Sequence, residues 1–185
     1  MNATFTTLVK YMFKLIFMII VLTYAIFIYL YFDSQNKYEV VIIDSGVKKS
    51  ELLLKGLRRE ADIFHLMHDE DGIENIYEII KEKKNISTLH IVSHGENGIV
   101  HLGNAKLDTK TIDSYKDTLS KWNRSFEKDG SIVLYGCNIA HDSHGRNFVN
   151  TLKEIINIDI YASDNLTGSN ELGGDDDFEF QALKN

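Results

Sequence analysis

The sequence predicts an α/β domain with a mainly parallel sheet and helices on both faces, preceded by one transmembrane helix. Three observations lead to this prediction. An apolar run near the N-terminus carries no charge. After it, short β-branched runs alternate with segments whose apolar residues recur at helical spacing, a pattern typical of parallel sheets. Several of the strand-like runs also end in polar residues, at the edge where open α/β sheets form their functional crevice.

The uncharged run covers residues 15–32 and has about the minimum length that crosses a hydrocarbon core as a helix. Lys10 and Lys14 precede the run. The positive-inside rule therefore predicts a cytoplasmic tail over 1–14, an anchor over 15–32 and a short linker over 33–38. A cleaved secretory signal is the alternative, but no small-residue cleavage site follows the run.

These boundaries leave residues 39–185 as an extracytoplasmic domain, periplasmic or at the cell surface. The chain has a formal net charge of −7, and the two lysines of the N-terminal segment, Lys10 and Lys14, leave −9 on the remainder. Such an acidic domain without a basic stripe is not suited to phosphate backbones, so nucleic acid is excluded as a partner. The expected contact with the membrane is through the N-terminal helix alone.

The first half of the domain alternates strand and helix patterns. Residues 39–44 (EVVIID) form a β-branched apolar run that predicts a buried strand. The leucine spacing within 50–60 predicts a helix, and 61–67 form a second strand. Isoleucines at helical spacing predict a helix over 72–84, and 88–93 form the third strand.

The second half continues the same alternation. Its predicted elements are a hairpin over 99–107, a helix over 109–126, a strand over 131–136, a helix over 144–156, a strand over 159–162 and a short edge strand over 177–181. The hairpin follows from two brief apolar stretches around Gly103 and Asn104.

Two strand ends carry the residues with the most distinctive chemistry. The third strand ends in His94-Gly95, and the strand over 131–136 ends in Cys137, the only cysteine of the chain. A thiol needs a nearby base to become a nucleophile, and a histidine supplies one. We therefore predict catalytic roles for Cys137 and His94, with the amides of Gly95 and Cys137 as an oxyanion pocket. A buried, unreactive cysteine is the alternative.

The order of these motifs resembles the caspase-like cysteine peptidases, in which the histidine follows the third core strand and the cysteine the fourth. More narrowly, residues 39–182 resemble a bacterial domain of unknown function, DUF4347, which recurs in large surface and adhesin-like proteins. The matching segments are VVIIDSGV (40–47), LHIVSHGENG (89–98), HLGNAKLD (101–108), DGSIVLYGCNIA (129–140), ASDNLTG (162–168) and LGGDDDFEF (172–180). The resemblance implies a caspase-like fold with catalytic His94 and Cys137. The sequence departs from the family at Asp176, where an aromatic residue is usual.

Three further polar residues are candidates for substrate binding. Asp44 is expected either to orient His94, to select a basic substrate side chain, or simply to cap its loop. Asp164 is expected either to bind a cationic substrate side chain or to form an Asx turn with Asn165. Asn138 is expected to shape the turn after Cys137.

No metal or other cofactor is predicted. Cys137, His141 and His144, together with His94, lack the spacing of a familiar zinc motif. The acidic run 175–177 fits a solvated turn better than a calcium site.

The leading hypothesis is a membrane-anchored cysteine peptidase, a hydrolase that processes itself or acts on a peptide or a surface protein. The alternative is an inactive interaction or sorting module of a bacterial surface system. A flavodoxin-like ligand-binding domain is a weaker third reading, since no glycine-rich phosphate loop follows the first strand.

Overall fold

The computed structural model describes residues 3–35, 38–47, 61–167 and 177–184. The strands are β1 (Tyr38–Asp44), β2 (Asp62–Leu66), β3 (Ile86–Val92), β4 (Gly95–Glu96), β5 (Ile99–Leu102), β6 (Ala105–Asp108), β7 (Phe126–Tyr135), β8 (Asp159–Ala162) and β9 (Phe180–Ala182). The α-helices are α1 (Ala3–Gln35), α2 (Gly72–Ile80), α3 (Lys116–Leu119) and α4 (Ser143–Ile156). Met1–Lys37 and Tyr38–Asn185 form two separate compact units.

The N-terminal unit is the helix α1. Its segment Val9–Tyr31 is the one stretch within the described residues that is long and apolar enough to cross a membrane. A signal sequence near the N-terminus would satisfy the same criterion. The helix is thus consistent with a single-pass protein. It continues to Gln35, so the first residues of the predicted linker are helical.

The second unit is a mixed α/β domain with a mostly parallel sheet. Within the described residues, six strands form this sheet in the order β2-β1-β3-β7-β8-β9. All neighbouring pairs are parallel except β8 and β9, which are antiparallel. The parallel alternation predicted from the sequence is therefore confirmed.

One face of the sheet carries the main core. Alternate residues of β1, such as Val40 and Ile42, belong to a single buried cluster with side chains from α2, α3 and α4. The residues between them, Val41 and Ile43, belong to a second cluster on the other face. Within the described residues, α2, α3 and α4 all contribute to the first of these clusters. The helix predicted over 50–60 lies outside the described residues.

A second, small sheet is inserted after β3. It joins β4, β5 and β6 in antiparallel order, with Gly103 and Asn104 at the turn between β5 and β6. Gly103 has a φ of 59°, which a glycine adopts without strain. The hairpin predicted over 99–107 is confirmed.

The single helix predicted over 109–126 is wrong. The chain instead forms a 3₁₀ turn (Ile112–Tyr115), the short α3 and a second 3₁₀ turn (Trp122–Ser125), and Phe126 already begins β7. The hydroxyls of Ser114 and Ser120 donate hydrogen bonds to carbonyls three residues back, which compete with a continuous helical ladder.

Candidate functional site

Four strand ends meet at one edge of the large sheet. Because β1, β3, β7 and β8 are parallel, their carboxyl ends lie at the same edge. Asp44 ends β1, and His94, Cys137 and Asp164 each follow two residues after the end of their strand. The structure thus brings the predicted site residues to a common edge.

His94 and Cys137 occupy equivalent positions on neighbouring strands. Val92 of β3 pairs with Tyr135 of β7, and both candidate residues lie two positions beyond this pair. The glycines beside them are in close contact, since a Cβ built on Gly95 would lie 3.0 Å from the carbonyl carbon of Gly136. A side chain at Gly95 would force its surroundings to shift, because the same Cβ would meet Ile139 Cγ1 at 2.7 Å.

The His94 ring is exposed and its orientation is set by a main-chain carbonyl. Its Nε2 lies 3.1 Å from the carbonyl oxygen of Gly46, in the loop after β1. A carbonyl oxygen only accepts hydrogen bonds, so Nε2 carries the proton in the neutral ring and Nδ1 is the basic nitrogen. The main chain of His94 is fixed as well, because its carbonyl accepts a hydrogen bond from His101 N at 3.0 Å.

Asp44 is buried and caps two loops, and its carboxylate is linked to His94 through Gly46. One oxygen accepts the amide of Gly46 at 2.8 Å, and the other accepts the amide of Gly103 at 2.6 Å. The carboxylate therefore fixes the loop whose carbonyl holds the His94 ring. This arrangement corresponds to the loop-capping alternative, combined with an indirect orientation of His94.

Cys137 is partly exposed and begins a tight turn. Its thiol donates to the carbonyl of Thr167, with 3.7 Å between sulfur and oxygen. Asn138 has a left-handed φ of 59°, so it shapes the turn, and its amide donates to Asn165 O at 2.6 Å. Within the described residues, no hydrogen bond joins the thiol to the His94 ring. Catalytic hydrogen bonds are often loose without substrate.

Asp164 already has a cationic partner. Arg146, near the start of α4, donates to its carboxylate at 3.2 Å. The main-chain carbonyl of Asp164 also lies 3.0 Å from Nδ1 of His141. A cationic substrate side chain would therefore have to compete with Arg146 for this carboxylate.

Two contributors to the site were missed in the sequence. Glu179, just before β9, accepts the amide of Asp164 at 3.1 Å and the side-chain amide of Asn165 at 2.6 Å. Arg146 was missed because it belongs to no recognisable motif, and Glu179 because it lies far along the chain from Cys137. The one signal in the sequence that could have pointed to them was Asn165, in the ASDNLTG segment after the fifth predicted strand.

The helix α4 begins beside the turn that follows Cys137. Asp142 caps it by accepting the amides of His144 and Gly145. The pKa of the Asp142 carboxyl lies below its ordinary value. The largest cause is a side-chain hydrogen bond with Asn97, and the two amide bonds lower it further. Asn97 lies in the β4–β5 turn, so this cap ties α4 to the segment that follows His94.

The described residues contain no group of three or more histidine, cysteine or acidic side chains arranged to hold a metal ion. The ring of His141 is instead directed to the carbonyl of Asp164. Asp175 and Asp176, part of the acidic run considered for calcium, lie outside the described residues, as does the family departure at Asp176.

Comparisons with known proteins identify a domain family. A family model described as "Domain of unknown function (DUF4347)" matches residues 40–184. A search of curated proteins found no match. One similar solved structure is a crystal structure of a small-chain dehydrogenase, 12% identical, with a TM-score of 0.38 over 66% of this chain and 79% of the other. Likeness at this level does not bear on activity.

Proposed function

The chain belongs to the DUF4347 family, and we propose that its α/β domain is a cysteine peptidase of caspase-like fold. Cys137 is the nucleophile and His94 the general acid and base. The substrate is a peptide or protein segment, and the reaction is hydrolysis of a peptide bond without a metal or other cofactor.

One observation carries this proposal: the matching register of His94 and Cys137 on adjacent parallel strands. The pairing of Val92 with Tyr135 and the contact between Gly95 and Gly136 hold the two strand ends together. His94 follows the third and Cys137 the fourth strand in chain order within the large sheet, which is the placement that the resemblance to caspase-like peptidases implies. Both residues are accessible from solvent, as a substrate requires.

The proposed reaction begins with transfer of the Cys137 proton to Nδ1 of His94. The thiolate attacks the carbonyl carbon of the scissile bond, and the amides of Gly95 and Cys137 stabilise the resulting oxyanion. The C–N bond then breaks as His94 donates its proton to the leaving amine. A water molecule activated by His94 hydrolyses the thioester, releasing the acid and restoring the thiol.

The role of the Gly46 carbonyl in this scheme is to stabilise the protonated ring. Once Nδ1 is protonated, the Nε2–H donor of the imidazolium remains bonded to Gly46 O, at the 3.1 Å separation of the free protein. Asp44 holds Gly46 in place through its amide. The ring can therefore gain and lose its proton without changing its hydrogen-bond partner.

The proposed site of this activity is a membrane surface. We propose that α1 spans the bilayer with Lys10 and Lys14 on the cytoplasmic side, so that the peptidase faces the periplasm or the cell surface. A reporter fused after Asn185 tests this orientation, and a cytoplasmic signal would overturn it.

A second candidate function is an inactive interaction module. It is favoured by the thiol of Cys137, which donates to Thr167 O, and by Asp44 and Asp164, whose carboxylates already have partners within the domain. In that case the strand ends would bind a surface protein without cleaving it.

Substrate profiling separates the two functions. The purified full chain in detergent is incubated with a peptide library, and its cleavage products are compared with those of Cys137→Ala. A peptidase yields products that the variant does not form, whereas an interaction module yields the same profile for both proteins.

A further inference from the structure

The turn after Cys137 rests on the segment that follows β8. The amide of Asn138 donates to Asn165 O at 2.6 Å, and the amide of Ala140 donates to Ser163 O at 3.0 Å. Asn138 is in the left-handed conformation, and these two bonds hold the resulting turn from outside. The position of Cys137 therefore depends on residues 163–165.

Asn165 is the central residue of this support. Its amide donates to Ser163 Oγ at 3.2 Å, and its Oδ1 accepts from the same hydroxyl at 3.1 Å. Its Nδ2 donates to Glu179 Oε1 at 2.6 Å. Ser163 is fully buried, so the inner side of the segment is anchored in the domain, while Glu179 holds the outer side.

Glu179 completes the arrangement with both of its carboxylate oxygens. Oε1 accepts from the side chain of Asn165, and Oε2 accepts the amide of Asp164 at 3.1 Å. These bonds join the chain just before β9 to the segment after β8. Neither carboxylate bond involves Cys137 or His94, so Glu179 acts on the thiol indirectly, through the segment 163–165 and the turn at Asn138.

We propose that Asn165 and Glu179 are a positioning pair that holds the Cys137 turn in register with His94. This inference rests on the proposed peptidase function and adds two residues that determine how well its nucleophile is activated. The pair lies at the domain surface, so its loss displaces the turn without opening the core.

An exchange of polarity tests the pair directly. In Asn165→Asp the donor to Glu179 is lost and two carboxylates face each other. In Glu179→Gln the oxygen can still accept from Asp164, but the new amide faces the amide of Asn165. In the double variant the new amide at position 179 donates to the new carboxylate at position 165, so this bond is restored with donor and acceptor exchanged. The oxygen at position 179 still accepts from the amide of Asp164.

The readout is alkylation of Cys137 by an iodoacetamide probe on the full chain in detergent, which is unambiguous because the chain has a single cysteine. At about pH 6, below the ordinary thiol pKa, the rate depends on activation by His94. We expect each single variant to be slower by about tenfold and the double variant to return to within about twofold of wild type. At about pH 10, where thiols ionise unaided, all four proteins should react alike.

The matched control is the same exchange at a site remote from the turn. Asn150 and Glu154 lie exposed on α4, so Asn150→Asp, Glu154→Gln and their double variant carry the same changes of charge. We expect these three proteins to react at the wild-type rate at about pH 6.

The results that would overturn the inference are distinguishable from those that would overturn the dyad. If His94→Ala slows alkylation at about pH 6 while the Asn165 and Glu179 variants do not, the positioning pair is wrong and the dyad stands. If wild type and His94→Ala react equally, the dyad and the pair both fail. A double variant as slow as the single variants, in the presence of the His94 effect, also contradicts the pair.

Discussion

Gly95 and Gly136 lie against each other where β3 and β7 end. A Cβ built on Gly136 would fall 3.2 Å from Cα of Gly95 and 3.3 Å from its nitrogen. The backbone that leaves His94 therefore touches the backbone that enters Cys137. This contact brings the backbone of the candidate base next to that of the candidate nucleophile.

Gly95→Ala should disrupt this contact. Its new methyl group would meet Ile139 Cγ1 and the main chain of Gly136, and only part of that overlap can be relieved by side-chain movement. We expect a loss of about 1–3 kcal/mol in the free energy of unfolding and a slower alkylation of Cys137. Urea denaturation followed by the fluorescence of Trp122, the single and buried tryptophan, measures the first effect. Unchanged stability and unchanged alkylation would show that the strand ends tolerate separation.

Asp44→Ala should destabilise the domain and release the His94 ring. It removes the buried carboxylate that accepts the amides of Gly46 and Gly103, two partly accessible donors, at a cost of about 1–2 kcal/mol. Denaturation in urea measures the cost, and Asp113→Asn, a change at an exposed position, serves as the control. A loss no larger than that of the control would contradict the capping role of Asp44.

His90 makes the stability of the domain depend on pH. It is buried on β3, with Nδ1 3.1 Å from the Tyr135 hydroxyl and Nε2 3.8 Å from a carboxylate oxygen of Glu39. Burial lowers the pKa of His90, and the opposing attraction of Glu39 does not cancel this effect. The folded protein therefore binds a proton at His90 less readily than the unfolded chain does.

This lowered pKa predicts a loss of stability on acidification. As the pH falls below about 6.5, the ordinary pKa of histidine, the unfolded chain takes up a proton that folded His90 does not, so the free energy of unfolding decreases. The full loss of stability is reached only at a pH below the pKa of His90 in the folded protein. His90→Gln should lose less stability than wild type between neutral and mildly acidic pH, as measured by urea midpoints. Equal losses in the two proteins would exclude His90 as the source.

The parallel sheet could be predicted because its strands are fully buried. Val40 to Ile43 are nearly inaccessible, and such continuous β-branched runs are distinctive in a sequence. The same patterning placed His94 and Cys137 just beyond strand ends. Their common edge then followed from the parallel direction of the strands alone.

The remaining details depend on contacts that no local pattern encodes. The segment 109–126 has apolar residues at helical spacing, but its serine hydroxyls bond to the main chain and Trp122 begins a 3₁₀ turn. The carbonyl of Gly46 and the carboxylate of Glu179 reach the site from distant parts of the chain. Every residue has a main-chain carbonyl, so the sequence does not show which one accepts a hydrogen bond. The orientation of His94 could therefore not be inferred from the sequence.

The most direct test of the dyad is the rate at which the thiol of Cys137 is alkylated in wild type and in His94→Ala. Both proteins are treated as full chains with an iodoacetamide probe at about pH 6 and at about pH 10, on either side of the ordinary thiol pKa of about 8.5. We predict that wild type reacts at least about tenfold faster than His94→Ala at the lower pH, and that the two rates converge at the higher pH. Equal rates at about pH 6 would mean that the imidazole does not activate the sulfur, and the peptidase proposal would be wrong.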